Sequence, residues 1–518
     1  MFLKAGVLSL LLLLASRVLG LLRESAQAAV FGTSAMGDVA VLMLTLPDLV
    51  TGLLASGAMA YVLLPHWAGQ TPQQRAGAQR RVAVGLLAFG WFFAASLWLA
   101  RPLVLVWLAP GLNAAAQALA ANALVWSALA LPPSLLAALW VTRLQFERDF
   151  VGMYAGNLVV NLVLVAALAG IALLADRTLA ILLLGLLFLL AMVLRLVWLC
   201  WRMHRVVRRN RQAAGGLAGA SGHADQAGNS ASSANIANGA KAGTFPLPSV
   251  WLWAALSAGL PLALPFVARS MASGAGPGAL VTFNYAWKLV ELPLVLAIQL
   301  VASLAFPAVA HAFAHNQQPA HAVRRAFLWA WTLACAAAAA LWVGAPAIAQ
   351  LLFGWGRMSA ADVTRIADWG AAGALGLLPQ AMVAVALTVL ASVGQMRVAV
   401  WAYAAALMGL LVWGPGMDGR GLMSLLNYLL AGVALVVLAR LRQVAPLAGT
   451  AWLPLPAMAV AAALMLAAGW LAGTAPWQAW QALQPNPLLG LALAGAVAVV
   501  IIAGAALAER LGSPSVQP

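Results

Sequence analysis

Continuous apolar runs of about 20 residues recur along the whole chain, and they restrict the folds it can adopt. About 20 apolar residues is the length at which an α-helix crosses the hydrocarbon core of a bilayer. A β-barrel would instead show shorter segments in which apolar and polar residues alternate. Hydrophobic residues make up 64% of the 518 positions and charged residues only 8%, whereas soluble domains carry about 25% charged residues. We therefore expect an all-α polytopic membrane protein and exclude a soluble enzyme.

Fourteen transmembrane helices can be placed on these runs. The predicted spans of the first half are 4–31, 35–64, 82–108, 115–142, 150–174 and 178–202. Those of the second half are 250–272, 278–312, 322–352, 362–392, 397–414, 420–440, 452–473 and 487–508.

The basic residues predict the orientation of these spans. With the N-terminus in the cytoplasm, 18 of the 28 Lys and Arg residues fall on cytoplasmic segments, 4 on the opposite loops and 6 inside spans. Cytoplasmic loops of membrane proteins carry this excess of positive charge. We expect both termini to be cytoplasmic and the number of spans to be even. Since orientation accounts for the net charge of +16, no nucleic-acid partner is expected.

One long polar segment divides the chain. Residues 204–249 begin with an arginine-rich stretch and continue in Gly, Ala, Ser and Asn, a composition typical of a flexible linker. The predicted domains are an N-terminal six-helix lobe, a cytoplasmic linker, a C-terminal six-helix lobe, and two last helices with a tail: 1–203, 204–249, 250–443 and 444–518.

The two halves also share a faint repeat. Arg23 precedes Pro47 by 24 residues, and Arg269 precedes Pro293 by 24 residues. Together with the central linker, this spacing favours two pseudo-symmetric six-helix bundles followed by two C-terminal helices. Such an architecture is typical of transporters.

Ionisable residues inside the predicted spans indicate the functional site, because charges in hydrocarbon are costly and usually line polar cavities. Guanidinium and ammonium groups suit a phosphate-bearing ligand. Structural ion pairs are the alternative, for example Arg23 with Asp38 or Lys288 with Glu291. The predicted cationic, substrate-binding cavity residues are Arg17, Arg23, Arg269 and Lys288, and their predicted carboxylate partners are Glu24, Asp38, Asp48 and Glu291.

The sequence has no P-loop, no dinucleotide-binding glycine pattern and no HExxH, so neither a cofactor nor a catalytic residue is predicted. Three histidines, His311, His315 and His321, are interpreted as loop residues rather than metal ligands. The two cysteines, Cys200 and Cys335, are interpreted as small apolar residues. We expect a non-enzymatic protein without a metal.

Several motifs resemble those of one membrane-protein family. The motifs are Ser16-Arg17-Val18-Leu19-Gly20, Arg23-Glu24, Leu46-Pro47-Asp48-Leu49 and Tyr285-Ala286-Trp287-Lys288-Leu289-Val290-Glu291-Leu292-Pro293. They resemble the MurJ (MviN) lipid II flippase family, which belongs to the multidrug/oligosaccharidyl-lipid/polysaccharide exporter superfamily.

The resemblance implies a multi-pass protein of the bacterial inner membrane. It would move undecaprenyl-pyrophosphate-linked peptidoglycan precursor from the cytoplasmic to the periplasmic face by alternating access. The last two helices would form a groove for the lipid tail. Arg17, Arg23, Asp38 and Lys288 match functional positions of the family. The implied partners are lipid II or a related polyprenyl-pyrophosphate glycan, membrane lipids and cell-wall synthesis proteins.

The sequence also departs from the family pattern. Glu24 replaces an aspartate, Lys288 replaces an arginine, Thr51 stands where the family has one or two arginines, and Ser56 stands where it has a glutamate. Lysine lacks the planar fork with which arginine binds phosphate. These departures leave two alternatives open: a flippase for another undecaprenyl-linked glycan, such as O-antigen or capsule units, and a non-transporting scaffold of wall synthesis.

Overall fold

In a computed structural model, the described residues fold into helices joined by short connections. A helix bonds its own backbone N–H and C=O groups, which an apolar segment requires in a membrane. The structure describes residues 2–55, 58–68, 70–220, 248–298, 301, 309, 311–313, 319–444, 447, 451–478 and 486–512. They form sixteen α-helices: α1 (Phe2–Phe31), α2 (Ala35–Ala55), α3 (Ala58–Ala68), α4 (Pro72–Leu108), α5 (Ala114–Phe146), α6 (Phe150–Ile171), α7 (Arg177–Ala220), α8 (Pro248–Ala272), α9 (Ala279–Pro293), α10 (Pro319–Phe353), α11 (Ala360–Gly373), α12 (Leu377–Ser392), α13 (Arg397–Trp413), α14 (Gly419–Leu441), α15 (Leu455–Ala472) and α16 (Pro487–Gly512).

The all-α membrane fold expected from hydropathy is confirmed. Within the described part of the chain, eleven helical stretches are long and apolar enough to cross a membrane. Helix lies in each of the fourteen predicted ranges, although two ranges are divided. The range 35–64 holds both α2 and α3, and the range 362–392 holds α11 and α12. The number of fourteen spans stays a prediction.

Contacts divide the chain into two compact units. Unit 1 comprises Met1–Val30, Val39–Trp107 and Ala114–Leu262, and unit 2 comprises Phe31–Asp38, Leu108–Asn113 and Ala263–Pro518. Two short connections of the N-terminal half therefore group with the C-terminal half. This division differs from the four domains expected from the sequence, which remain a prediction.

In unit 1, α7 packs along both α5 and α6. Ala137 and Leu144 of α5 form a buried cluster with Leu199 and Met203 of α7. A glycine permits the closest approach between these two helices. A Cβ added at Gly185 would lie 2.3 Å from Cδ1 of Trp126, so only hydrogen fits beneath this indole ring.

In unit 2, α10 packs against several other helices. It contacts α11, α12, α15 and α16. The contact with α16 relies on small residues, because a Cβ added at Gly344 would lie 2.7 Å from the Cβ of Ala494. Trp331 of α10 donates from Nε1 to the carbonyl of Met458 in α15 at 3.0 Å. Close packing of small residues is the usual means of helix association in membranes.

The predicted linker begins as helix rather than as loop. α7 continues to Ala220, and two of its arginines near the predicted start of the linker at residue 204 make specific contacts. Arg202 bonds Asp149, and the guanidinium carbon of Arg205 lies 4.6 Å from the ring centroid of Trp201. Arginine is a good helix former whose apolar stem can pack while its charge stays in water. Residues 221–247 lie outside the described residues, and the linker there stays a prediction.

Candidate functional site

Arg23 lies between two carboxylates in unit 1. Its Nη2 atom is 2.7 Å from Oε1 of Glu24, and its Nη1 atom is 3.9 Å from Oδ2 of Asp48. Glu24 is buried, whereas Asp48 of α2 is exposed. Of the five charged site residues predicted from the first two spans, α1 and α2 thus bring three together, Arg23, Glu24 and Asp48. The guanidinium is held by its neighbours while one of these carboxylates remains accessible.

Arg17 lies apart from this group. It precedes Arg23 by six residues, and an α-helix of 3.6 residues per turn places two such positions about 120° apart around its axis. Arg17 is exposed. Among the residues that the structure describes, no carboxylate forms an ion pair with it. The position is compatible with contact to a ligand or a headgroup, but it is separate from the Arg23 group.

Arg195 of α7 is influenced electrostatically by Asp48 and was not predicted as a site residue. The negative charge of Asp48 acts on its guanidinium, and its side chain packs near Gly156 of α6. The signal in the sequence is an arginine within the apolar stretch Thr178–Arg209. The sequence could not show that this arginine comes within electrostatic range of Asp48, because the two residues lie on helices distant in the chain.

At position 51, where the sequence departs from the family pattern, the uncharged Thr51 adds no charge near Arg23 and Asp48. Thr51 is buried, and its hydroxyl donates to the carbonyl oxygens of Pro47 at 2.8 Å and Asp48 at 3.2 Å. This bond to the preceding turn gives the buried Thr51 hydroxyl an acceptor in apolar surroundings. The other departure, Ser56, lies outside the described residues.

In unit 2, Arg269 of α8 is directed onto α9. Its Nη1 atom donates to Oδ1 of Asn284 at 2.9 Å, and its guanidinium carbon lies 4.8 Å from the ring centroid of Phe266. Arg269 and Asn284 are both buried. Sequence reasoning identified Arg269 but missed Asn284, because neutral amides are common in helices and carry no special pattern.

Lys288 and Glu291 form an ion pair on α9. Lys288 Nζ lies 2.7 Å from Glu291 Oε2, and both side chains are partly exposed. Residues three apart share a helix face, so this arrangement is the ion-pair alternative considered from the sequence. The lysine remains accessible enough to meet a ligand.

Asp38 belongs to unit 2 and caps a helix. Its Oδ2 atom accepts from the backbone N–H of Gly278 at 2.6 Å, and its Oδ1 atom accepts from that of Val281 at 2.8 Å. The carboxylate is 1% exposed. Within the described part of the chain, no cation pairs with it. Asp38 therefore accepts from the N–H of the residue before α9 and from that of its third residue, at the end of the helix where N–H groups have no partner inside it.

A glycine makes this cap possible. Gly278 has φ +85°, and a Cβ there would lie 2.2 Å from the carbonyl oxygen of Thr33. Only glycine adopts this left-handed conformation without strain and leaves room for the approaching backbone. The connection 31–38 is thereby held against the N-terminus of α9.

The histidines and cysteines of the described residues were candidates for a metal site. In the part of the chain that the structure describes, no three His, Cys, Asp or Glu side chains converge as metal ligands would. His311 and His321 are exposed, while His315 lies outside the described residues. The charged groups of each unit can bind an anion through arginine or lysine, with a carboxylate or an amide fixing the cation in place.

Comparison with known proteins identifies the fold and the family. The family model described as "Lipid II flippase MurJ" matches residues 27–480. The structure "Lipid II flippase MurJ, inward closed conformation" is 12% identical with a TM-score of 0.75, and the match covers 96% of this chain and 98% of that chain.

More distant structures have the same fold. An inward-facing multidrug resistance MATE family transporter of the MOP superfamily is 14% identical with a TM-score of 0.60, and the match covers 84% of this chain and 96% of that one. A MOP superfamily transporter from Pyrococcus furiosus is 15% identical with a TM-score of 0.53, covering 86% and 97%. No curated protein matches the sequence.

Proposed function

The chain belongs to the MurJ lipid II flippase family, and from this premise we propose that it moves lipid II from the cytoplasmic to the periplasmic face of the bacterial inner membrane. The observation that carries the proposal is the family match over residues 27–480. The membrane-spanning helices and the transporter fold support it. Translocation would proceed by alternating access, with both termini in the cytoplasm and no chemical conversion of the substrate.

The pyrophosphate of the substrate is the group that the cations would bind. Arg17, Arg23, Arg269 and Lys288 are the proposed contacts, and Arg195 joins them through its interaction with Asp48. Glu24, Asp48 and Glu291 would hold the cations in position rather than touch the substrate. Because each carboxylate already neutralises a neighbour, the bound phosphate would compete with it for the N–H donors.

Asp38 has a different proposed role. Its two backbone hydrogen bonds occupy both carboxylate oxygens, which supports a structural function at the start of α9. The apolar helices α15 and α16, which pack on α10, are the proposed location of the groove for the lipid tail.

The departures at positions 24, 51, 56 and 288 support one second candidate within transport, a flippase for another undecaprenyl-linked glycan. A scaffold of wall synthesis that binds other cell-wall proteins is the third. Both would retain the fold, and they differ from the first proposal in what the cationic groups must do.

Complementation separates these candidates. We expect the chain to restore growth of a bacterium depleted of its own lipid II flippase, and Arg23→Ala to abolish rescue because the guanidinium cannot be replaced. Arg148→Ala, at an exposed arginine outside the proposed site, serves as the control and should rescue fully.

Two outcomes would contradict the proposal. Normal rescue by Arg17→Ala and Arg23→Ala together would favour the scaffold. Failure of the unaltered chain to rescue, with export of an O-antigen or capsule precursor intact, would favour the second candidate.

A further inference from the structure

Unit 1 holds a second concentration of positive charge, where α3 ends, α4 begins and α5 ends. Arg143 is 8% exposed, and its guanidinium carbon lies 5.3 Å from the ring centroids of both Trp67 and Phe146. The guanidinium carbon of Arg75 lies 4.5 Å from the Phe146 centroid. The two rings meet edge to face with centroids 5.8 Å apart. Trp67, Arg75, Arg143 and Phe146 form the arginine–aromatic cluster.

The cluster has more donors than acceptors. Arg143 Nη2 lies 2.6 Å from Oε1 of Glu147, and Arg75 Nη2 donates to the Gln70 carbonyl at 3.0 Å. The Nε and Nη1 atoms of Arg143 and the Nε atom of Arg75 have no hydrogen-bond acceptor among the described residues. Buried N–H donors normally have hydrogen-bond acceptors. The faces of the aromatic rings replace these missing acceptors only in part.

The surrounding charge is almost entirely positive. Segments 66–81 and 143–148 contain five arginines and a single carboxylate. The charge of Arg75 acts against that of Arg143. Burial and then the charge of Arg81 lower the pKa of His66 below its ordinary value. The exposed arginines of these segments are Arg80, Arg81 and Arg148. Positive charge is therefore present both at the buried Arg143 and at the accessible surface around it.

We propose that the arginine–aromatic cluster and the start of α4 form a binding site for the phosphate group of a membrane lipid. Arg75 is the proposed ligand, because it is only half-buried while the Phe146 ring and the Gln70 carbonyl fix its orientation. A guanidinium held in this way loses little freedom on binding phosphate. Arg143, which lies near the same Phe146 ring, and the N-terminal end of α4, which begins at Pro72, add positive potential.

The position of the cluster favours a lipid over a soluble anion. It lies where the apolar stretch Ala114–Phe146 ends, which is the depth of the headgroups. The orientation proposed above assigns this end to the cytoplasmic leaflet, where anionic lipids attract basic residues. The phosphate could come from an anionic phospholipid or from a polyprenyl pyrophosphate. The site does not depend on which substrate is transported.

Native mass spectrometry of the full-length protein in detergent tests this proposal. The titrated probes are phosphatidylglycerol, undecaprenyl pyrophosphate, inorganic phosphate and diacylglycerol, which lacks the phosphate. We expect Arg75→Gln to weaken phosphatidylglycerol binding about tenfold, as expected for losing a hydrogen bond to a charged group. Arg148→Gln removes an equal charge outside the cluster and should weaken binding less than twofold.

Two further variants separate the site from general surface charge and from misfolding. Phe146→Leu keeps every charge but removes the ring that orients Arg75, and we expect it to weaken binding as well. Arg75→Lys keeps the charge without the fork and should behave like Arg75→Gln, while the thermal midpoint of each variant reports on folding.

Several results would overturn the proposal. Equal losses from Arg75→Gln and Arg148→Gln would show diffuse attraction, and equal binding of diacylglycerol would show that phosphate is not recognised. Binding of inorganic phosphate alone would replace the lipid by a soluble anion. Binding of phosphatidylglycerol or of undecaprenyl pyrophosphate that depends on Arg75 supports the proposal. Whichever of the two lipids binds more tightly is identified as the source of the phosphate. None of these readouts requires transport, so failure of the flippase proposal would be seen separately.

Discussion

At the scale of single residues, identical charges perform different tasks because their surroundings differ. Lys288 and Glu291 pair on one face of α9, and their spacing was sufficient to foresee this. The role of Asp38 could not be foreseen, because its N–H partner Gly278 lies 240 residues away in the chain. From the sequence alone, an aspartate within an apolar stretch is as compatible with a substrate-binding charge as with a helix cap. The two backbone hydrogen bonds that Asp38 accepts distinguish these roles.

Asp38→Asn tests the capping role. The amide offers one acceptor instead of two, and its NH2 group would face a backbone donor. Hydrogen bonds to charged groups contribute about 1.5–3 kcal/mol, so we expect the free energy of unfolding to fall by roughly 2 kcal/mol in a denaturant titration of the purified protein.

Asp418 provides the matched control. It caps α14 through the N–H of Gly421 at 2.8 Å but is exposed. Because asparagine caps exposed helices about as well as aspartate, Asp418→Asn should change stability by less than about 0.5 kcal/mol. A similar small effect at Asp38 would mean that its two hydrogen bonds do not stabilise the fold.

At the scale of helices, hydropathy located the elements but not their contacts. The apolar runs predicted helix because a membrane leaves the backbone no other partner. They did not predict that α7 extends to Ala220, since a polar and basic composition is compatible with loop as well as with helix. They also did not reveal which glycines lie under bulky side chains.

Gly185→Ala tests the packing of α7 on α5. The added Cβ would meet the Trp126 ring at 2.3 Å, and forcing extra volume into a packed contact costs about 1–3 kcal/mol. Gly85→Ala is the control, because nothing lies within 4 Å of its added Cβ and alanine is favoured over glycine in helices by about 1 kcal/mol. We expect Gly185→Ala to lower the free energy of unfolding and Gly85→Ala to raise it. Equal changes in the two variants would contradict the close contact at Gly185.

The contact between α6 and α7 is tested by a double-mutant cycle. Asp149 accepts from Nε and Nη2 of Arg202 at 2.6 and 3.0 Å. We expect Asp149→Asn and Arg202→Gln to be coupled by roughly 1 kcal/mol, because the pair is bidentate and partly buried.

The more exposed pair of Arg420 and Asp368 is the control for this cycle, and its coupling should be near zero because solvent screens the charges. Equal coupling energies in both pairs would show that the ion pair of Arg202 and Asp149 stabilises the fold no more than an exposed pair does.

At the scale of the whole molecule, the sequence foretold an all-helical membrane protein because hydrophobic length is a strong constraint. It also foretold the family through motifs around Arg17, Arg23 and Lys288. It identified cations but not their surroundings: the charge of Asp48 acts on Arg195, and Asn284 accepts a hydrogen bond from Arg269. These contacts depend on helix rotation, which the composition of an apolar segment leaves open.

The central claim is that this chain translocates lipid II, and the direct measurement is transport in proteoliposomes. Fluorescent lipid II would be placed in both leaflets, and its exposure to an external quencher would be followed over time. We predict that the unaltered protein moves lipid II faster than protein-free vesicles do. Arg23→Gln should slow transport at least about tenfold, as expected for losing a hydrogen bond to a charged group, whereas Arg148→Gln should leave it unchanged. Lipid II movement no faster than in protein-free vesicles, by folded protein, would contradict the account.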